Sequence, residues 1–204
     1  MADSPTPTRL FQPAGIGVMQ QIHDFKFATR TLAAAPVPTS TNFFGAAPSS
    51  DPTQDRYDQG NTLITSGKKF TIFQIGFHIW KAIADANIAD IEKIVDNCMI
   101  RIVTGSKEFG VYPIIDLPAG GGICVQGGNI AVTPAAAPGG VTSLGVTNGH
   151  PLRKRLALKC PLEIQSNQGF FCELLAPGGA LAITLTSATI CRLELEGVED
   201  RPAS

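Results

Sequence analysis

Charge is scarce in this sequence. Charged residues make up 16% of the 204 positions, against about 25% in a typical soluble domain. The net charge is −1, so the total provides no general attraction to nucleic acid or to an anionic membrane. A surface with so little charge is either neutral and polar or partly covered by other proteins.

Signatures of secretion, membrane insertion and metal binding are also missing. No run of about 18 apolar residues is present to span a bilayer, and the first residues, MADSPTPTRLFQP, lack the apolar core of a signal peptide. We therefore expect neither a signal peptide nor a transmembrane segment, and synthesis in a reducing cytoplasm. The cysteines form no Cys-x-x-Cys pair, which favours buried free thiols over a zinc or redox site at Cys98, Cys124, Cys160, Cys172 and Cys191.

A glycine-rich stretch, LPAGGGICVQGGNIAV at 117–132, raises the question of phosphate binding. A Walker loop requires a lysine followed by serine or threonine, and neither is present. A dinucleotide fingerprint requires a helix after the glycines, whereas this stretch continues with β-branched residues. We interpret the glycines as a sharply turning connection between strands.

Other catalytic and ligand-binding motifs are equally weak. No G-x-S-x-G elbow is present, and a carboxylate pair for glycoside hydrolysis could be assembled from almost any protein. Distant histidines could still converge in a sandwich, but His23, His78 and His150 have no metal-ligand spacing. The spacing of Asp51, Asp55 and Asp58 is not that of an EF-hand and favours a solvated loop. We expect no catalytic residue, no cofactor and no metal.

What the sequence does contain is typical of a β protein. It has 21 glycines and 15 prolines, which suit many strands joined by turns. Alternating apolar residues predict strands over 18–32, 68–80 and the segment 180–198, with CMIRIVTG and FGVYPIID as a hairpin and further strands in LRKRLALKCPLEI and GFFCELLA. In 68–80 we expect Phe73, Ile75, Phe77 and Ile79 to face the core. One short helix is predicted around Ile88, Ile91, Ile94 and Val95, capped by Asp85 or Asn87.

The remaining segments predict one domain with long excursions. Residues 1–15, with prolines at 5, 7 and 13, predict an extended N-terminal arm, and 16–204 a single domain. Residues 33–62 predict a long loop, and loops of this length are usually functional or ordered by a partner. A second excursion runs from the glycine stretch to residue 150.

The order of these features resembles a known family. The segments KKFTIFQIGFHI, VYPIIDLPAGGGI, NGHP, LKCPLEIQSNQGFF and LELEGVEDRP, which together cover roughly residues 60–202, look like the jelly-roll major capsid proteins of tailless icosahedral bacteriophages. The resemblance implies an all-β fold: a single jelly-roll β-sandwich of eight or nine antiparallel strands, with one short helix and long loops.

The resemblance also implies a structural function. We expect a virion protein that self-assembles into an icosahedral shell and is not an enzyme. Its expected partners are copies of itself and other capsid proteins, with a viral membrane or genome beneath the shell. Two alternatives stay open: a receptor- or carbohydrate-binding sandwich such as a spike or decoration protein, and a β-sandwich hydrolase or cupin-like enzyme. Subunit contacts are expected at the glycine excursion and at the basic cluster, namely Gly120, Gly121, Gly122, Arg153, Lys154 and Arg155.

Overall fold

The computed structural model describes residues 9–11, 19–44, 48–51, 53–58, 63–80, 88–117, 155–166 and 168–202. These residues form ten β-strands and one α-helix, where eight or nine strands were predicted. The elements are β1 (Arg9–Phe11), β2 (Met19–Leu32), β3 (Ser40–Asn42), β4 (Asp55–Arg56), β5 (Lys69–Trp80), α1 (Ile88–Asn97), β6 (Met99–Thr104), β7 (Lys107–Pro113), β8 (Leu156–Gln165), β9 (Phe170–Leu175) and β10 (Thr189–Pro202).

The strands form two antiparallel sheets. The six-stranded sheet has the order β1-β2-β10-β5-β8, with β4 also paired to β2, and the four-stranded sheet has the order β3-β9-β6-β7. The pairing is nested along the chain: β2 pairs with β10, β3 with β9, β5 with β8 and β6 with β7. The predicted all-β sandwich is therefore confirmed, and the predicted arm contributes β1 to the edge of its own sheet.

The core lies between the inner faces of the two sheets. On β10 the alternation predicted from the sequence is confirmed, since Cys191, Leu193 and Leu195 are fully buried while the residues between them are not. Phe77 of the six-stranded sheet is fully buried and meets Phe43 edge-on, with ring centroids 5.7 Å apart. Each buried side chain of this size contributes about 1.5–3 kcal/mol to folding.

The inward parity predicted for β5 is correct for three of its four residues and wrong for Phe73. Ile75, Phe77 and Ile79 are fully buried, but Phe73 is 39% exposed. The pairing of β5 shifts at this residue against both β8 and β10. Phe73 is therefore a bulge residue, which reverses the alternation, so that Phe70 and Ile72 supply the core before it.

Gly197 of β10 lies opposite this bulge and permits a close approach of the two strands. A β-carbon at this position would lie 2.1 Å from the carbonyl oxygen of Thr71 and 2.9 Å from the ring of Phe70. Any other residue would push β10 away from β5, so the glycine is needed for the ladder to continue beyond the bulge.

The predicted helix and hairpin are confirmed. In α1, Ile91 and Ile94 are buried, and β6 pairs with β7 as expected. The predicted caps Asp85 and Asn87 lie outside the described residues. The fully buried carboxylate of Asp90 accepts hydrogen bonds from the backbone N–H groups of Thr186 and Ser187. No helix in the described part of the chain is long and apolar enough to cross a membrane.

Two boundaries predicted from the sequence are wrong. The predicted loop 33–62 contains β3 and β4 and delivers buried side chains to the core, namely Val37, Phe43, Phe44 and Tyr57. Conversely, the predicted strand over 180–198 begins only at Thr189, because a 3-10 turn occupies Gly179–Leu181. Strands of two or three residues contain too few alternating positions to be recognised by periodicity.

We predict that Phe77→Asp abolishes soluble expression, because the carboxylate would be buried without a partner. Phe73→Asp is the matched control on the same strand, and we expect it to express and to unfold within about 1 kcal/mol of wild type, as surface substitutions do. Expression yield and urea unfolding measure both effects. Equal tolerance of the two substitutions would show that the register of β5 is wrong.

Candidate functional site

Five of the six predicted subunit-contact residues lie outside the described part of the chain. They are Gly120, Gly121, Gly122, Arg153 and Lys154. The sixth, Arg155, immediately precedes β8 and is half-buried on the outer face of the six-stranded sheet. A role of these residues in subunit contacts stays a prediction.

Arg155 crosses β5 and binds two carboxylates of β10. Its NH1 group donates to Glu196 at 2.9 Å, its NH2 group donates to Glu194, and its guanidinium carbon lies 5.2 Å from the ring centroid of Phe25 on β2. The path is open because Gly76 has no side chain: a β-carbon there would lie 3.1 Å from the Arg155 side chain. Arg155 is therefore not the solvated strand end that its basic neighbours suggest.

The rest of this outer face is also closed by internal contacts. His23 lies 3.0 Å from Glu196, and His78 lies 3.2 Å from Glu194. Burial alone would raise the pKa of Glu194, but His78 and Arg155 together lower it below its usual value. On the same face Arg192 stacks on Phe27 at 4.5 Å and donates to the carbonyl of Thr53. Few polar groups of these side chains remain for a partner.

The two described histidines thus lie on the outer face of the six-stranded sheet, on β2 and β5. His150 lies outside the described residues. Within the described ranges, no three His, Cys, Asp or Glu side chains are grouped in a way that could hold a metal ion.

Four cysteines are described, and all are free thiols. Cys98, Cys172 and Cys191 are buried, as predicted, whereas Cys160 on β8 is exposed. Burial raises the pKa of Cys98 to about 11 and raises the pKa values of Cys172 and Cys191 as well. The three buried thiols are therefore protonated at neutral pH and unreactive.

A compact ion-pair cluster, which we call the Lys26 cluster, closes one end of the inner face. The ammonium of Lys26 lies 2.8 Å from Glu199, 3.0 Å from Asp24 and 3.3 Å from Asp58. Lys68 binds Asp58 at 2.7 Å, and Arg56 binds Asp24. Burial alone would lower the pKa of Lys26, but Glu199 and Asp24 raise it. Three acids balance three bases, so the cluster is neutral.

The solvated loop predicted for the three aspartates is correct for Asp51 and wrong for Asp55 and Asp58. Asp51 is exposed. Asp55 is buried and accepts hydrogen bonds from the guanidinium of Arg30 at 3.0 Å and from the backbone N–H of Thr29. Arg30 and Lys26, both on β2, therefore hold the segment between β3 and β5 onto the sandwich.

The outer face of the four-stranded sheet has a different character. Its outward positions, read from the cross-strand register, are mostly apolar on β6, β7 and β9 and polar on β3. Two large apolar side chains are well exposed there: Met99 at 45% and Val111 at 38%. Phe171, Leu175 and Val103 are half-buried on the same face. Ile115, two residues after β7, is 55% exposed. Adjacent exposed apolar side chains of this kind mark interaction surfaces in soluble proteins.

One ion pair lies at the centre of this apolar face. Arg101 on β6 faces Glu173 on β9, and its Nε donates to the carboxylate at 2.6 Å. Ser40 on β3 donates to the other oxygen of the same carboxylate. Glu173 is 7% exposed as a residue, whereas the side chain of Arg101 is 37% exposed. The face thus presents apolar side chains around an accessible guanidinium.

Neither outer face can be recognised as a unit from the sequence. The alternation of apolar and polar residues showed which side chains share a face of one strand, but not which strands are neighbours. One usable signal was present: in CMIRIVTG both parities are largely apolar, as in a strand buried on both sides.

No protein-family model matches the chain, and no curated protein matches it significantly.

We predict that Asp58→Asn lowers the free energy of unfolding at pH 7 by about 1–2 kcal/mol, after allowance for solvent screening. Burial alone would raise the pKa of Asp58, but Lys68 and Lys26 lower it from 3.8 to about 2. The stabilisation is therefore complete above pH 4 and lost as the pH falls through 2. Urea unfolding at pH 7 and pH 2 measures the difference in unfolding free energy between wild type and variant. Asp96→Asn on α1 is the control. If Asp58→Asn were as destabilising at pH 2 as at pH 7, the ion pairs of Asp58 would not be the source of the stabilisation.

We predict that Arg155→Ala destabilises the isolated chain by about 1–3 kcal/mol, because Glu194 and Glu196 lose their shared cation. Arg201→Ala, at an exposed position near the end of β10, is the control and should have little effect. The measurement is urea unfolding of the unassembled protein. Full stability combined with defective assembly would instead assign Arg155 to the subunit contact predicted from the sequence.

Proposed function

We propose that this chain is a structural virion protein, a capsid subunit that associates with copies of itself to form a shell. The observation that carries the proposal is the contrast between the two outer faces of the sandwich. On the face of the six-stranded sheet, Arg155, Arg192 and the acids of β10 are held by one another and by their neighbours, and Phe73 is exposed at the bulge. The face of the four-stranded sheet exposes both Met99 and Val111 around an accessible arginine.

The strand order supports the finer part of the proposal, that the sandwich is a single jelly roll. Without the short strands β1 and β4, eight strands remain. The first of them pairs with the last, the second with the second to last, and this order continues inward to the hairpin β6-β7. This nested pairing arises when a long antiparallel hairpin rolls up and its successive strand pairs enter the two sheets alternately. It is the arrangement of the double-sheet jelly roll.

The low charge of the chain supports self-association as well. Surfaces that are buried between subunits are depleted in charged residues relative to the remaining surface, and this chain is only 16% charged. A structural role also agrees with the chemistry of the described residues, in which the ionisable side chains of both sheets are mostly committed to internal ion pairs.

The proposal is tested by purifying the full chain and following its size by light scattering and electron microscopy while protein concentration and ammonium sulfate are raised. Sulfate strengthens the burial of apolar surface, so we expect large closed shells or capsomers to form under these conditions. A protein that remains a small trimer and binds glycans on an array would instead indicate a receptor-binding or decoration protein, and the capsid proposal would be wrong.

A further inference from the structure

We propose that the outer face of the four-stranded sheet packs on the same face of a second copy, about a two-fold axis that places Arg101 of each copy opposite Glu108 of the other. This inference rests on the proposed self-association and adds to it the surface, the symmetry and the pair of charges that sets the register.

The first support is the unused hydrogen-bonding capacity of Arg101. Its Nε and NH2 groups both bind Glu173, while its NH1 group has no partner among the described residues. Arginine is enriched among the residues that dominate protein interfaces, and the side chain of Arg101 is 37% exposed. A partner surface that covers this face must bring an acceptor to Arg101, since otherwise the donor would be buried unpaired.

The second support is an acid on the same face that lacks a cation. Glu108 on β7 pairs in register with Val103, which lies two residues from Arg101 along β6. Glu108 is exposed, and no side chain in the described ranges forms an ion pair with it. Glu173 on this face is already bound by Arg101, so Glu108 is the acid left over. Glu108 and Arg101 lie roughly 8 Å apart along the sheet, given strand and residue spacings of about 4.8 and 3.4 Å.

Symmetry turns these two groups into a matched set. A two-fold axis that lies between two stacked sheets and passes midway between Arg101 and Glu108 exchanges their positions, so two identical ion pairs form. Arg101 pairs with Val111 and Val103 pairs with Glu108, so the four residues form a rectangle with the two charges on one diagonal. Val103 and Val111 lie on the other diagonal, so each lies close to the axis and meets the same residue of the second copy. The face is thus self-complementary in charge and in apolar contact.

The size of the face predicts that the contact is weak. Four strands and the five residues 99–103 give an area of roughly 300–350 Å² per copy, less than half of the about 800 Å² per partner of a stable complex. The contact is therefore expected to populate dimers only at high concentration and to become persistent when other contacts in a shell act with it.

The opposite sheet exposes Phe73, but the charged side chains at the centre of its outer face are already paired. On its outer face Glu194 and Glu196 share Arg155 and the two histidines, and Arg192 is held by Phe27, Thr29 and Thr53. A second copy placed there would have to break existing pairs before forming new ones.

The charge pairing is tested with Glu108→Arg, which places arginine against Arg101 twice in each symmetric contact. We expect the association constant, measured by sedimentation velocity over a concentration series, to fall about a hundredfold because like charges are juxtaposed. Glu92→Arg on α1 is the matched control, since it changes the net charge equally at an exposed residue away from this face. Circular dichroism and thermal unfolding show that both variants fold.

The position of the axis is tested separately by cross-linking. In a background that carries Cys160→Ser and Cys124→Ser, Val111→Cys should be joined into covalent dimers by a short bis-maleimide, whereas Glu92→Cys should not. Cross-linking is used because stacked sheets lie about 10 Å apart, which exceeds the reach of a disulfide.

The outcomes separate the inference from the function on which it rests. If wild type assembles, and Glu108→Arg assembles equally well and Val111→Cys fails to cross-link, the face is not the contact although the chain is still a shell protein. If wild type forms no particle at any concentration, the capsid proposal is wrong, and the cross-linking result alone decides whether this face pairs. Loss of association in Glu108→Arg together with specific cross-linking at Val111 supports the inference.

Discussion

The backbone ladder between β2 and β10 is the constraint on which the rest of the structure depends. It joins residues 19–32 to residues 189–202 over fourteen consecutive positions, and β10 pairs on its other side with β5. Because β10 is flanked on both sides, its outward acids lie between His23 of β2 and His78 of β5, and Arg155 reaches them across β5. Its inward Glu199 reaches Lys26 in the same way. Both charge networks follow from this central position.

The two sheets use their polar residues differently. In the six-stranded sheet the charged side chains neutralise one another across strands, and a single gap in side-chain volume at Gly76 allows one arginine to serve two acids. In the four-stranded sheet one carboxylate is satisfied by Ser40 and Arg101, and the remaining outward positions are mostly apolar. The first arrangement satisfies its charges within one molecule. The second leaves apolar side chains and a guanidinium exposed.

The sequence predicts this fold well where the information is local. The two-residue period of β2 and β10 and the helical spacing in α1 each follow from patterns within a dozen residues. Phe73 was assigned to the wrong face because its bulge depends on Gly197, more than a hundred residues away along the chain. The burial of Asp55 and the partial burial of Asp58 depend on Arg30 and Lys26 of β2. Likewise, the candidate contact face exists only once β3, β9, β6 and β7 are neighbours, which no single segment encodes.

The position of β10 in the chain has a consequence for biosynthesis. A ribosome that has completed β2 must add the 156 residues 33–188 before β10 begins, which takes roughly 10–30 s at common elongation rates. Throughout this interval β2 lacks the strand that covers its long edge, and unpaired strand edges are templates for pairing with other chains. Neighbouring nascent chains on one messenger are therefore most exposed to mispairing during this period, and a chaperone that masks β2 would act before the last strand emerges.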